Sequence, residues 1–215
     1  MNEWRLKALR SQMNPHFIFN CMNSIDMYIL KNDAENASRY LNKFAKLVRL
    51  ILNQSDEMSI PLAREIEMLK YYVELERLRF DKPFNYAIDV GLSVDAEETE
   101  IPSMLLQPYV ENAILHGLRH KQQQGNLLLR IAREGNVLHC TVEDDGVGRK
   151  ATAVINAGRD TKHHSKGLKL TEERLDMVNA SDTSKAFVQV TDLADENGNP
   201  NGTRIEIRIT LEWDD

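Results

Sequence analysis

Residues 13–20 read MNPHFIFN and place one histidine, His16, between a proline and a run of apolar residues. Apolar side chains recur every three or four positions through this segment, at Leu6, Leu9, Met13, Phe17, Cys21, Ile25 and Tyr28. That spacing predicts an amphipathic helix whose apolar face packs on a core. His16, Asn20 and Asn23 share a neighbouring, polar face. A neutral imidazole has a nucleophilic nitrogen near pH 7, although a lone helical histidine is more often structural.

Composition excludes several classes of protein. The 215 residues are 42% hydrophobic, which is enough to bury a core in one or two domains. A formal net charge of -6 argues against direct nucleic-acid binding. The chain has no apolar run of the roughly 20 residues that a membrane span needs, and it starts with no signal peptide, so we expect a cytoplasmic location. Cys21 and Cys140 lack metal or redox spacing and are expected to be buried free thiols in a reducing compartment.

The first 80 residues carry helical patterns. Asn32 and Asp33 can cap a second helix, whose apolar stripe comprises Tyr40, Leu41, Phe44, Leu47, Val48 and Ile51. Two antiparallel helices leave an apolar face half covered, so we expect two chains to pair into a four-helix bundle. A third helix is predicted from about residue 59 to about residue 81, and we place a domain boundary there, between 1–81 and 82–215.

The second half alternates strand patterns with helices. Helices are expected at about 103–118 and 167–179, and the predicted strands are 84–90, 127–133, 136–144, 186–192 and 203–213. Strands in hairpins with helices set between them favour a two-layer α/β sandwich with a mixed sheet. The fold class predicted for the whole chain is therefore α+β, with a helical hairpin preceding the sandwich.

The segment LKALRSQMNPHFIFNCMNSI, residues 6–25, resembles the phosphoacceptor box of sensor histidine kinases of the LytS/YehU type. That box places a histidine after Asn-Pro and before Phe-aliphatic-Phe-Asn, as this chain does from Asn14 to Asn20. The resemblance implies that His16 accepts the γ-phosphoryl group of ATP and passes it to an aspartate of a response regulator, expected to be of the LytTR type. It also implies a homodimer through the N-terminal helices and a membrane sensor region outside these residues.

Boxes in the second half resemble, in order, those of the GHKL (Bergerat) ATP-binding fold. The first is LLQPYVENAILHG, residues 105–117, in which the resemblance makes Asn112 the ligand of Mg²⁺. Glu111 and His116 are its motif neighbours and are expected near phosphate or metal. Many histidine kinases carry an acid after the phosphoacceptor, where this chain has Phe17, so Glu111 is the candidate base. In isolation, Asn112 would be interpreted as an ordinary exposed polar residue.

The second box is VEDDGVG, residues 142–148. The resemblance assigns Asp144 to the exocyclic amine of adenine, while Gly146 and Gly148 let the backbone approach the base. Asp145 departs from the usual pattern, which has asparagine there. Without the resemblance, DDGVG would be interpreted as a turn.

The third box is HSKGLKLTEERL, residues 164–175, in which Gly167 and Leu168 match a phosphate-contacting pattern. Ser165 and Leu170 stand where glycine and asparagine are expected. Residues 149–166 match the position of the ATP lid, and the adjacent histidines within it are interpreted as solvated rather than metal-binding. Thr203, after Gly202, resembles the Gly-Thr box near the adenine.

Two other functions share parts of this pattern. ATPases of the same nucleotide fold carry a water-activating glutamate four residues before the metal-binding asparagine, a position that Pro108 occupies here. A non-enzymatic dimeric scaffold that retains the ATP-binding fold is the remaining alternative, and the departures at Ser165 and Leu170 favour it.

Overall fold

The computed structural model describes residues 15–54, 57–149, 151–152 and 186–211. The helices within these ranges are α1 (Pro15–Leu30), α2 (Ala34–Gln54), α3 (Leu62–Arg77) and α4 (Gln107–Asn112). A π-helical turn over Ala113–Gly117 and a 3₁₀ turn over Leu118–His120 continue from α4. The strands are β1 (Ser59–Pro61), β2 (Asn85–Val90), β3 (Glu100–Pro102), β4 (Asn126–Glu134), β5 (Val137–Asp144), β6 (Ala186–Ala194) and β7 (Pro200–Thr210). No helix of the described ranges has both the length and the apolar character of a transmembrane span.

The chain groups into two compact units. The first contains the described residues up to Asp81 together with Ile101–Met104. The second contains Lys82–Glu100 and the described residues from Leu105 onward. Each unit has its own elements, α1 to α3 in the first and the large sheet in the second. The assignment of 1–81 and 82–215 to separate functional domains stays a prediction.

A capped turn separates α1 from α2. Asn32 has a left-handed φ of 56°, and Asp33 Oδ1 accepts a hydrogen bond from the backbone N of Asn36 at 3.2 Å. A side chain that bonds the amide three residues later is the usual N-cap arrangement. The predicted cap is therefore confirmed at Asp33.

The core of the first unit follows the predicted apolar spacing. Phe17, Cys21 and Ile25 of α1 are buried, and the buried hydrophobic residues of α2 are Ala37, Tyr40, Phe44, Leu47 and Ile51. Leu41 is exposed and Val48 is half-buried, so the buried stripe of α2 is narrower than predicted. The Tyr40 hydroxyl donates to the Leu75 carbonyl oxygen at 3.3 Å and ties α2 to α3. Burial raises the pKa of the Cys21 thiol to about 11.

The second unit is built on a mixed five-stranded sheet with strand order β2-β4-β5-β7-β6. β2 runs parallel to β4, and the other neighbouring pairs are antiparallel. On β5 every second side chain is buried, at Leu138, Cys140, Val142 and Asp144. The π-helical turn packs against β5 and β7. Of the four buried residues of β5, three are apolar and the fourth, Asp144, is a carboxylate. This exception makes the end of β5 a candidate functional site.

Three elements have boundaries that clearly differ from the prediction. The third helix begins at Leu62, because residues 59–61 pair with β3 in a two-stranded sheet, and it ends at Arg77. The helix expected from Ser103 begins at Gln107, since Met104 adopts a left-handed φ of 57° that no helix continues through. β7 begins at Pro200, earlier than expected. The helix predicted at 167–179 lies outside the described residues.

Candidate functional site

A cleft of about 160 Å³ lies in the second unit. It is lined by the helical residues 107–120, which we call the α4 segment, and by residues of the strands β5, β6 and β7. Its lining residues are Tyr109, Asn112, Ala113, His116, Gly117, Asp144, Gly148, Arg149, Thr152, Val190, Thr203 and Ile205. A cavity of roughly 150 Å³ is large enough to admit a benzene ring in another protein. This cleft therefore has the size of a flat heteroaromatic ring, with room for further groups only toward its open side.

Two glycines let the α4 segment approach the end of β5. A Cβ on Gly117 would overlap the carboxylate of Asp144, and a Cβ on Gly146 would overlap the backbone of Gly117. The backbone N of Val147 donates to the Gly117 carbonyl oxygen at 3.2 Å and closes the contact. At Gly117 and Gly146, only a residue without a side chain permits so close an approach of the two segments. The two segments that line the cleft are thus held together at Gly117.

Asp144 is the buried acid of the cleft, with a 3% exposed side chain. Its Oδ1 accepts a hydrogen bond from the backbone N of Gly146 at 2.9 Å, and no residue of the described ranges donates to its Oδ2. Burial raises the pKa of Asp144 to about 7, against the lowering effect of the Gly146 bond, and the neighbouring Asp145 charge raises it further. A donor that reached Oδ2 would favour the ionised form.

These features match the chemistry of an adenine base. The exocyclic amine of adenine is a hydrogen-bond donor, and a carboxylate oxygen is an acceptor that rejects the carbonyl of guanine. Val190, Ile205 and Ala113 supply apolar walls for a planar ring. Thr203 lies opposite Asp144 in the register of β5 and β7, so its position beside the carboxylate follows from strand pairing. The residues present therefore fit a nucleotide base.

Asn112 and His116 line the same cleft from the α4 segment. An amide oxygen such as that of Asn112 is a hard ligand suited to Mg²⁺, which keeps several waters and phosphate oxygens as its other ligands. A single protein ligand is compatible with that chemistry. The described residues contain no cluster of three or more His, Cys, Asp or Glu that would form an all-protein metal site. Glu111 is half-buried and is not among the residues that line the cleft.

The structure brings most of the predicted second-half residues together. Five of them line the cleft: Asn112, His116, Asp144, Gly148 and Thr203. Gly146 is not a lining residue, but its backbone N donates to the Asp144 carboxylate. Gly167 and Leu168 lie outside the described residues. His16 is the second residue of α1, in the first unit.

Several lining residues were missed by sequence reasoning. Gly117 closes the ENAILHG box, so its position in a motif was a usable signal. Arg149 directly follows the GVG of the second box, and it pairs with Asp192 at 2.6 Å. Thr152 donates from its hydroxyl to the His116 carbonyl oxygen at 2.7 Å, a contact that no sequence pattern indicates.

Comparisons with known proteins point to one family. A family model described as histidine kinase matches residues 4–84. The sensor protein LytS of Enterococcus faecalis is 28% identical over 217 residues, which cover 100% of this chain and 35% of LytS. The sensor histidine kinase YpdA of Escherichia coli K12 is 33% identical over 147 residues, 68% of this chain and 25% of YpdA.

Solved structures agree on the fold. The histidine kinase domain of the blue-light activated histidine kinase of Erythrobacter litoralis EL346 superposes with a TM-score of 0.53. The superposition covers 97% of this chain and 94% of that domain at 16% sequence identity. The predicted α+β fold, helices followed by a sheet of the histidine-kinase type, is confirmed. The chain spans about a third of the length of the LytS relatives that it matches. The match over the helical region and the LytS relatives together establish that the chain belongs to the LytS-type family of sensor histidine kinases.

Proposed function

We propose that these residues form the kinase core of a two-component sensor, in which ATP binds at the Asp144 cleft and phosphorylates His16. Residues 1–81 serve as the helical dimerisation and phosphoacceptor region, and 82–215 serve as the catalytic domain. The observation that carries the proposal is the buried Asp144 carboxylate, which has an available oxygen in a ring-sized cleft. The Asn-Pro-His motif at the start of α1 supplies the acceptor.

Each binding residue has a chemical task in this proposal. Asp144 accepts the adenine amine, Gly146 holds that carboxylate through its backbone N–H, and Gly148 and Thr203 form the wall of the base site. Asn112 holds Mg²⁺, with His116 beside the phosphates. Gly167 and Leu168 are proposed to contact phosphate on the basis of their motif. When bound, Mg²⁺ would neutralise charge on the phosphate oxygens.

The chemistry is a phosphoryl transfer to nitrogen. The lone-pair nitrogen of His16 forms a bond to the γ-phosphorus, and the bond from that phosphorus to the oxygen leaving with ADP breaks. The other imidazole nitrogen then releases its proton, and Glu111 is the candidate acceptor. The phosphoryl group subsequently moves to an aspartate of a response regulator, for which we propose the LytTR type.

The cellular setting follows from the family. We propose a homodimer formed through the N-terminal helices and a cytoplasmic location, with a membrane-bound sensor region elsewhere in the full protein. α1 supports the dimer because it exposes Phe19, Met22, Ile29 and Leu30. No direct nucleic-acid partner is proposed, in keeping with the net charge of -6.

Incubation with γ-labelled ATP and Mg²⁺ tests the proposal. We expect acid-labile, alkali-stable label on the unchanged chain and none on His16→Gln. His139→Gln is the matched control, because His139 lies on a strand and pairs with Glu134 rather than belonging to the motif; it should label normally. Glu111→Gln should bind ATP normally and label more slowly, and wild-type labelling would remove its role as base.

The outcomes separate the kinase from its alternative. Label that persists in His16→Gln would contradict His16 as the acceptor. If the full-length protein, reconstituted in a bilayer, binds nucleotide but takes up no label, the non-enzymatic dimeric scaffold would be favoured. Transfer of label to a purified receiver domain, absent when its acceptor aspartate is replaced, would support the second step.

A further inference from the structure

Asp145 follows the cleft carboxylate in sequence, but its own carboxylate binds a different segment. Its Oδ1 accepts a hydrogen bond from the backbone N of Asn126 at 2.7 Å, and its Oδ2 accepts one from the Asn126 side-chain amide at 2.5 Å. The Lys121 ammonium lies 2.9 Å from Oδ1 and donates to the Asp145 carbonyl oxygen at 2.7 Å. The backbone N of Asp145 donates to the Asn126 carbonyl oxygen at 3.2 Å. Residue 145 is therefore tied to both ends of the segment 121–126.

That segment joins the helical side of the cleft to the sheet. It follows directly after the helical stretch 107–120, which carries Asn112 and His116, and it leads into β4. Gly117 and Val147 already connect this stretch to the loop that contains Asp145. The bonds of Asp145 add a second connection, a few residues further along. Together they hold the Asn112 side of the cleft against the strand end that carries Asp144.

The ion pair of Lys121 with Asp145 also sets the charge near Asp144. The side chains of Lys121 and Asp145 are 19% and 30% exposed, so solvent screens their charges only in part. Burial opposes ionisation of Asp145, but the bonds from Lys121 and Asn126 outweigh it and hold its pKa below the ordinary value. The charge of Asp145 raises the pKa of Asp144, and that of Lys121 lowers it.

The other charged groups around Asp144 have partners of their own. Glu143, its neighbour on β5, pairs with Arg204 of β7 at 2.6 Å. Arg149, which lines the cleft, pairs with Asp192 of β6. His116 lines the cleft from the α4 segment. Among the residues that the structure describes, Lys121 is thus the cation that offsets the extra carboxylate.

We propose that Asp145 and Lys121 are a matched positioning pair of the nucleotide site. Asp145 holds the segment 121–126 in place, and Lys121 cancels the charge that this carboxylate brings next to the base-binding acid. The inference rests on the proposed function, because it takes Asp144 as the acceptor of the adenine amine. An asparagine at position 145 would accept the backbone bond without adding charge, so Lys121 matters because an aspartate stands there.

Calorimetric titration with ADP, at about pH 7 and about pH 8.5, tests the pair. Lys121→Met should weaken binding roughly fivefold at the lower pH, because loss of the lysine charge raises the pKa of Asp144 and leaves less of the carboxylate ionised. The loss should be smaller at the higher pH, where Asp144 ionises again. Lys121→Arg keeps the charge and should bind within about twofold of the unchanged chain. In the Asp145→Asn background, Lys121→Met should lower the ADP affinity by less than about threefold.

The arms of the experiment have distinct meanings. No ADP binding by the unchanged chain would overturn the proposed function, and with it this inference. Normal binding by the unchanged chain and by Lys121→Met at both pH values would overturn the pair alone, as would an equal loss in Lys121→Arg. Thermal melting monitors folding. If Lys121→Met unfolds, the deciding comparison is between Asp145→Asn and the double variant Asp145→Asn with Lys121→Met. ADP affinities that agree within about threefold support the pair, and a larger difference overturns it.

Discussion

Asp144 is a carboxylate in a place where its charge is poorly solvated. Burial raises its pKa to about 7 in the folded chain, well above the ordinary value for an aspartate. Between about pH 4 and about pH 7 the folded state therefore holds a proton that the unfolded state releases. Stability is largest below this window and falls as the pH rises through it. The buried charge of Asp144 therefore lowers the free energy of unfolding at neutral and alkaline pH.

Replacing this acid by its amide should increase stability and reduce binding. Asp144→Asn keeps an oxygen for the Gly146 amide and removes the buried charge. We expect the free energy of unfolding to rise by roughly 1–3 kcal/mol at about pH 8 and to change much less at about pH 5. Urea unfolding followed by circular dichroism measures it, and ADP affinity should fall at least about tenfold.

Asp89→Asn is the control, because Asp89 is an exposed carboxylate of β2 that pairs loosely with Arg130 at 3.7 Å. Its stability change should stay within about 0.5 kcal/mol at both pH values. Equal or lower stability of Asp144→Asn at about pH 8 would contradict the charge-burial account.

The segment Ile101–Met104 belongs to the first unit although its flanking residues belong to the second. The backbone N of Ser103 donates to the Met58 carbonyl oxygen at 3.1 Å, and that of Met104 donates to Glu65 Oε2 at 2.7 Å. Glu65 is fully buried on α3, and Met104 is 1% exposed. A buried donor without an acceptor is costly, so Glu65 should stabilise this element strongly.

Glu65→Ala removes the acceptor and should lower the free energy of unfolding by about 2–4 kcal/mol. Glu65→Gln retains an amide oxygen and should lose less than half of that amount. Glu67→Ala, an exposed position on the same helix, is the control and should change stability by less than about 0.5 kcal/mol. Urea unfolding of the whole chain gives the comparison, and equal effects at positions 65 and 67 would show that the contact contributes nothing.

At the scale of the whole molecule, α1 leaves apolar side chains in water. Phe19, Met22, Ile29 and Leu30 are 69%, 44%, 58% and 76% exposed, and most of them share the helix face opposite Phe17 and Cys21. An apolar stripe of this kind is typical of a helix that packs against a second copy. The predicted homodimer would bury it.

Light scattering at micromolar concentration should give the mass of a dimer. Ile29→Glu combined with Leu30→Glu should shift the mass toward that of the monomer, because two charges would be buried in an apolar interface. Met58→Glu is the control: this side chain is 92% exposed but lies outside the helices, and the dimer should persist. A monomer mass for the unchanged chain would contradict the dimer.

The sequence by itself determined the order of the elements and most of the cleft. The apolar spacing of Phe17, Cys21 and Ile25 predicted the buried face of α1, and strand alternation predicted β4 and β5. The ordered boxes identified Asn112 and Asp144 before their contact was known. Periodicity succeeds here because burial within one helix or strand depends on residues a few positions apart.

Only the tertiary structure decided which distant segments meet. It placed Gly117 against Asp144, gave Asp145 its partners Lys121 and Asn126, and delayed the start of α4 to Gln107. Each of these features joins residues separated by some 20 positions or more, or depends on such a contact. Local spacing carries no information about such pairs, because their energies arise from packing and hydrogen bonds that form only when the sheet and the α4 segment assemble.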